Sequence, residues 1–233
     1  MPTGSRHRKL APRVASAVQR EIIERDWPVG ESLGSEAALI ERYGVSRAVM
    51  REAVRILESR GVARMQLGPG GGLTVTAPDV ASAVESVELL LDHAAVTARD
   101  LFEARSTVEL TSVTLATERI DEAGIGQLRG VLQDGARLSD ASELSRRFHL
   151  AVAEATGNPA IRLLVEILSS LMAKHTRSAA PTEEALEQMR EAHASIVAAI
   201  VAGDSGLAQH RLRRHLAALL SPPQLGEPQQ ALE

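Results

Sequence analysis

The chain has no cysteine, and only four of its 233 residues are aromatic: Trp27, Tyr43, Phe102 and Phe148. Without cysteine there is no disulfide scaffold, no thiol nucleophile and no thiolate metal site. So few aromatics nearly close the route used by single-strand and RNA binders, which stack bases on aromatic platforms. Long hydrophobic runs are missing too. The most apolar stretch, residues 192–202, is broken by His193 and Ser195 and is too short to span a bilayer. The first nine residues are polar and basic, with no apolar signal-peptide segment behind them. A cytoplasmic protein with no membrane partner is the expectation.

Net positive charge is absent as well: 26 Lys and Arg stand against 30 Asp and Glu, a formal charge of −4. Taken whole, that balance speaks against a nucleic-acid partner. Its distribution says the opposite for one part of the chain. Residues 1–77 carry 12 basic against 8 acidic side chains, net +4, and residues 78–233 carry 14 against 22, net −8. The positive excess includes the arm Arg6-His7-Arg8-Lys9, and it is local charge that meets phosphates. The 44% hydrophobic and 24% charged composition is that of a globular protein. The length suits one large domain or two small ones.

Leu10, Val14, Val18 and Ile22 recur every four residues, which predicts a first helix with one apolar stripe. It should stop near Trp27-Pro28, because proline disfavours helix in the residue before it. Ser35 is an N-cap for a second helix over 36–43, with Gly44 at its C-terminal end; Ser46 caps a third that runs to about Arg60 and closes at Gly61. Two β-type runs, 62–66 and 73–76, flank Gly68-Pro69-Gly70-Gly71-Gly72 and predict a hairpin. After Ala77-Pro78-Asp79 the pattern is helical: 80–93, 98–118, 121–137, 140–155, 159–175, 181–202 and 205–220. The expected fold is mainly α. A winged helix-turn-helix of three helices and a β-hairpin occupies 1–77, an all-α bundle of six or seven helices 78–222, and a disordered Pro- and Gln-rich tail 223–233.

The third helix carries chemistry. Arg47, Arg51 and Arg55 stack at i, i+4, i+8, and Val49, Met50, Ala53 and Leu57 lie roughly opposite. An arginine fork bonds a guanine edge or a phosphate through two parallel hydrogen bonds. Ser46 can bond a phosphate beside the unpaired N–H groups of the helix start. The plainer reading of the charges alone is a solvated arginine face paired with Glu52 and Glu58. The order of helices, caps, turn and wing together favours duplex DNA.

The run from Val29-Gly30-Glu31-Ser32-Leu33 through Ser35-Glu36-Ala37-Ala38-Leu39, Gly44-Val45-Ser46-Arg47, Arg51-Glu52-Ala53-Val54 and Leu57 to Gly61-Val62 resembles the DNA-binding domain of the GntR family of bacterial transcriptional regulators. The resemblance covers about 10–77. It implies that Arg47 and Arg51 are recognition-helix arginines and that Gly68 is a wing residue near the minor groove. Ala37 departs from it, standing where many members have a basic DNA contact. So do Ala48-Val49, where small hydroxyl residues are frequent. The operator sequence is therefore not carried over with the fold.

Most of the seven histidines lie in the second part, and a lone helix histidine is more often a surface or core residue than a ligand. Arg105 with Glu109, Phe148-His149, Gly157-Asn158-Pro159, Glu191-Ala192-His193, Gly203-Asp204 and Arg214-His215-Leu216 resemble the all-helical FCD-type ligand-binding domain of the FadR subfamily, over about 80–220. The resemblance implies that His149, His193 and His215 surround a divalent metal that helps hold a small carboxylate effector, contacted also by Arg105 and Asn158. Relatives add a carboxylate four residues before the first histidine. Here that position is Ser145, and Glu143 points elsewhere. Three imidazoles plus water or an effector carboxylate favour zinc or nickel; a metal-free polar pocket is the other reading. Arg105 and Glu109, spaced i, i+4, also read as a surface ion pair of little energy. His175 and Arg177 are weaker candidates for the same cavity.

Together these features imply a homodimeric, metabolite-responsive regulator, most often a repressor in this family, that reads an inverted-repeat operator in double-stranded DNA. Two other readings stay open. One is a metal-dependent hydrolase, whose general base would have to be Glu154 or Glu109 without a signature such as HExxH. The other is a DNA-binding dimer indifferent to any effector.

Overall fold

The computed structural model describes residues 4–68, 71–175 and 182–219. Pro69-Gly70 of the wing, Arg177, the side chains of the Arg6–Lys9 arm and of His175, and the tail expected over 223–233 lie outside what is described. The chain divides into two compact units, Met1–Ser82 and Ala83–Glu233.

In the first unit, α1 (Gly4–Glu24), α2 (Glu36–Tyr43) and α3 (Arg47–Ser59) precede the strands β1 (Ala63–Gln66) and β2 (Gly72–Val75). The hydroxyl of Ser35 accepts the Ala38 N–H at 3.2 Å, and Gly44 ends α2 at φ +62°. A residue without Cβ enters that left-handed conformation at little cost, so α3 starts three residues later, at Arg47. Helix α1 begins six residues ahead of Leu10, because residues 4–9 contain no apolar side chain to register in the stripe. It ends at Glu24, and Asp26 and Trp27 follow with φ of +57° and +52°. The Trp27 indole N–H donates to the Thr76 carbonyl at 2.8 Å, tying this turn to the residue after β2.

Strands β1 and β2 pair antiparallel with Ala63 opposite Val75 and Gln66 opposite Gly72. The loop over 30–34 runs along the other edge of β2: Leu33 N–H donates to Leu73 O at 2.7 Å and Val75 N–H to Glu31 O at 2.9 Å. With a neighbour on each side, all four residues of β2 are buried. Gly72 is required there, since a Cβ would sit 2.5 Å from the Gly34 carbonyl oxygen. Val18, Ile22, Leu39, Met50, Leu57 and Leu73 fill the core beneath.

The remaining helices are α4 (Val80–His93), α5 (Ala98–Arg119), α6 (Glu122–Gly135), α7 (Ala141–Glu154), α8 (Pro159–His175), α9 (Glu183–Val201) and α10 (Ser205–Leu219). Among the described residues this makes seven, with α4 beginning in the first unit. Their starts are side-chain caps: Thr97 and Asp100 form a reciprocal capping box on α5, and Asp121, Asp140 and Thr182 cap α6, α7 and α9. The second core gathers Leu128, Phe148, Ile196, Ile200, Leu212 and Leu216; each such side chain contributes ~1.5–3 kcal/mol when fully buried. Helix α5 runs against α7, α8, α9 and α10, and its buried stripe is Leu101, Arg105, Glu109, Val113 and Ala116. Two ionisable residues therefore lie on a face that packing requires to be enclosed. Among the described residues no helix is long and apolar enough to cross a membrane.

Candidate functional site

On α3 the apolar and charged faces separate cleanly. Val49, Met50, Ala53, Val54 and Leu57 are buried, and the side chains of Arg47, Arg51 and Arg55 are 70%, 61% and 75% exposed. The Ser46 hydroxyl caps the helix by accepting the Val49 N–H at 3.4 Å, a role that leaves its own proton available to donate. Of the two acids expected to pair with this face, Glu52 does so, lying 3.2 Å from Arg55. Glu58 instead accepts the Met65 backbone N–H at 3.0 Å, because the register of β1 brings that group to it. The other acid is Glu36 of α2, 3.0 Å from Arg51 Nε and 3.8 Å from Arg47 Nε. Gly68 is exposed at the end of β1 with φ +110°, and its carbonyl accepts the Gly71 N–H at 2.9 Å.

In the second unit three helices each direct one histidine inward: His149 from α7, His193 from α9 and His215 from α10, all buried. Their Nε2 atoms converge. His215 Nε2 lies 3.3 Å from that of His193 and 3.4 Å from that of His149. The Phe148 ring stacks on His193 at 3.8 Å between centroids, 9° from parallel, which holds the imidazole in place and keeps water off that face. Behind His149, Nδ1 lies 2.8 Å from Glu109 Oε2, and the other oxygen of the carboxylate accepts from Arg105 Nε at 2.6 Å.

Burial disfavours the charged form of all three imidazoles and lowers each. For His215 burial is the larger cause and neighbouring His149 the next, and together they bring it down to about 3. Burial also works against the Glu109 carboxylate, but the His149 ring and the Arg105 guanidinium outweigh it and hold its carboxyl below the usual range. A neutral His149 facing a carboxylate through Nδ1 carries its proton there, which turns the Nε2 lone pair toward the other two rings.

Three mutually facing ring nitrogens suit a shared cation. Two nitrogens, each about 2.05 Å from one tetrahedral zinc, stand ~3.3 Å apart, close to the two Nε2 separations here. The three ligand atoms all lie within 4.8 Å of one another, and an all-imidazole donor set favours zinc, nickel or copper over magnesium or calcium. The residues fit a divalent transition metal. A cavity of about 480 Å³ opens between α9 and α10; His215, Gln188, Glu191, Arg211 and Arg214 form part of its wall, so one face of the histidine cluster borders a space of metabolite size.

Arg105 and Glu109 are 8% and 2% exposed, so theirs is a buried pair and the surface ion-pair reading does not hold. The Asn158 carboxamide oxygen accepts the Ala160 and Ile161 N–H groups at 3.0 and 3.4 Å and caps α8. Ser145 lies half-buried one turn before His149. Glu143 is occupied elsewhere: hydrogen bonds from Arg146 and Arg147 bring its carboxyl down to about 2. Glu154, the other candidate base for a hydrolase, is an exposed residue 2.7 Å from Arg162. Sequence reasoning missed the roles of Glu36 and Glu109. A signal for the second existed: Leu101, Arg105, Glu109 and Val113, four residues apart, mark one buried face of α5.

Two family models match the chain: bacterial regulatory proteins of the gntR family over residues 10–75, and the FCD domain over residues 100–218. The chain is 30% identical to the L-lactate dehydrogenase operon regulatory protein of Escherichia coli (strain K12), over 90% of this chain and 84% of that protein. It is 29% identical to the HTH-type transcriptional regulator LutR of Bacillus subtilis (strain 168), over 80% of this chain and 89% of the relative. Among solved structures, Streptococcus agalactiae GntR matches with a TM-score of 0.72 at 25% identity, over 90% of this chain and 98% of that one.

Proposed function

The chain belongs to the GntR family of bacterial transcriptional regulators, with an FCD domain behind its DNA-binding domain and no enzyme among these relatives, and from that premise we propose that it is a repressor governed by a small carboxylate. It binds an inverted-repeat operator as a homodimer, each copy laying α3 into a major groove. The two-fold symmetry of such a dimer makes its operator an inverted repeat. Arg47 and Arg51 contact base edges or phosphates, Ser46 donates to a phosphate, and Gly68 allows close backbone approach at the minor groove. The exposure of the arginine face and the +4 balance of residues 1–77 support this half of the reading.

The observation that carries the regulatory half is the convergence of three buried imidazole nitrogens, those of His193 and His149 at 3.3 and 3.4 Å from that of His215 and all three within 4.8 Å of one another. His149, His193 and His215 hold a divalent ion, zinc or nickel by donor type, and that ion supplies a positive centre for a carboxylate ligand. Arg105 commits only Nε to Glu109 and offers the rest of its fork to the effector; Asn158 offers the amide nitrogen that its cap does not use. Arg211 and Arg214 add positive charge at the mouth of the bordering cavity. The name of the Escherichia coli relative refers to an L-lactate dehydrogenase, which supports a small hydroxycarboxylate as the class. Such a ligand releases the operator only through different affinities for the DNA-binding and released arrangements.

Arg47→Ala and Arg51→Ala should each weaken operator binding by ~1–3 kcal/mol in a mobility-shift titration; unchanged affinity for both removes the recognition-helix assignment. Native mass spectrometry of the wild type should find one divalent ion per chain and none in His193→Ala. A metal-free wild type would retire the metal.

A further inference from the structure

By resemblance, the position at which relatives carry an anionic metal ligand is Ser145 here, which has no charge, and among the described residues the carboxylate that meets the histidine cluster, Glu109, reaches it from behind. Glu109 Oε2 lies 2.8 Å from His149 Nδ1, on the opposite edge of the ring from the Nε2 that faces the other imidazoles. The carboxylate is itself fixed, since Arg105 Nε donates to Oε1 at 2.6 Å and both residues stand on the enclosed stripe of α5. Arg105, Glu109 and His149 thus form a buried relay that crosses from α5 to α7.

We propose that Glu109 is the positioning residue of the metal site: it fixes the His149 ring and its Nδ1–H tautomer, and supplies from outside the ligand set the negative charge that Ser145 does not supply within it. This inference rests on the metal reading above. A carboxylate accepting the outer N–H of a ligating imidazole orients the ring and raises the basicity of the nitrogen that holds the metal, and loss of such a partner costs 10–100-fold in affinity. Arg105 completes the device by holding the carboxylate in one orientation, and its positive charge balances Glu109 while the site is empty of cation. The inner ligand set is then three neutral imidazoles, and the remaining coordination positions are left to water or to an anionic effector.

The test is competition for Zn²⁺ alone between a chromophoric chelator and the full-length protein, with folding followed by circular dichroism. Glu109→Gln keeps the size of the side chain and removes its charge, and should weaken zinc 10–100-fold. Ser145→Asp should recover most of the loss in that variant and gain distinctly less in the wild type, because the inner carboxylate then replaces the outer one; equal gains in both backgrounds count against the charge role of Glu109. Nitrogen-15 NMR of the histidine rings should show His149 as the Nδ1–H tautomer in the wild type and as a mixture in Glu109→Gln. If Glu109→Gln does not fold, the Arg105→Gln/Glu109→Gln double variant, free of the unpaired guanidinium, carries the same measurements. Zinc affinity within twofold of wild type in a folded Glu109 variant overturns the proposal and leaves the metal reading standing. A wild type that takes up no zinc overturns both.

Discussion

The two units place their polar chemistry on opposite sides of their cores. In the first, the core under α3 is apolar, with Thr74 of β2 its one buried polar residue among those described, and Arg47, Arg51 and Arg55 project from its outer face into solvent. In the second, the polar groups are part of the core: Arg105, Glu109, His149, His193 and His215 are buried beside Phe148, Val113 and Leu216. A duplex must be met at a surface, so its contacts add little to folding. A small ligand or ion must be enclosed, and its contacts have to be neutralised and satisfied before it arrives. Function and stability should therefore separate in the first unit and couple in the second.

Removal of Glu109 is the strongest way to break that contrast. Glu109→Ala leaves the Arg105 guanidinium buried beside a lost partner, and truncating one member of such a pair costs ~3–5 kcal/mol. Replacing both members, as in Arg105→Met/Glu109→Leu, should restore most of it, since apolar groups of similar volume need no compensation. Trp27, the sole tryptophan, packs against the first core, so its fluorescence follows that unit and circular dichroism follows both. Glu109→Ala should move the dichroism transition to lower urea and leave the Trp27 transition in place. A shift below ~1 kcal/mol would mean that the second core does not depend on its polar relay, which lies outside the range seen for broken buried pairs.

The matching change in the first unit is Arg51→Ala. Its expected effect on unfolding is within ~0.5 kcal/mol, as for surface positions away from caps and cores, alongside the ~1–3 kcal/mol loss of operator affinity expected above. A large loss of stability would show that the arginine face also holds α2 and α3 together.

The same contrast decides what can be read from the sequence. The first unit is legible because its signals are local: Ser35 and Ser46 cap, Gly44 and Gly61 turn with positive φ, and the apolar stripe of α1 repeats every four residues. Pairing of residues 30–34 with β2 is not legible, since it joins positions about forty apart and leaves no period behind. For the second unit, spacing locates the helices to within a residue or two but not their mutual placement. The three histidines are separated by 44 and 22 positions, and in the sequence only a family resemblance brings them together; the convergence of their helices supplies the geometry. From spacing Glu109 pairs with Arg105 alone, because its second partner lies forty residues away on α7.

The smallest expected effect tests the outward-facing unit most finely. The Glu36 carboxylate stands 3.0 Å from Arg51 and 3.8 Å from Arg47, and both arginines must turn to DNA for the recognition reading to hold. An exposed ion pair of this kind contributes ~0–1 kcal/mol to folding, so Glu36→Gln should barely move the Trp27 transition. On DNA the acid has two opposed effects. It competes with phosphate and base acceptors for the arginine forks and adds negative charge near the duplex, both of which weaken binding. It also holds Arg51 in one orientation, which lowers the entropy lost on contact. Because Arg51 and Arg47 are 61% and 70% exposed, the restraint is slight and competition should win. Glu36→Gln is therefore expected to tighten operator binding by up to ~1 kcal/mol, a factor of about five, in fluorescence anisotropy at low salt. Weaker binding would reverse the assignment and make Glu36 to Arg51 what Glu109 is to His149, an acid that positions the contact residue.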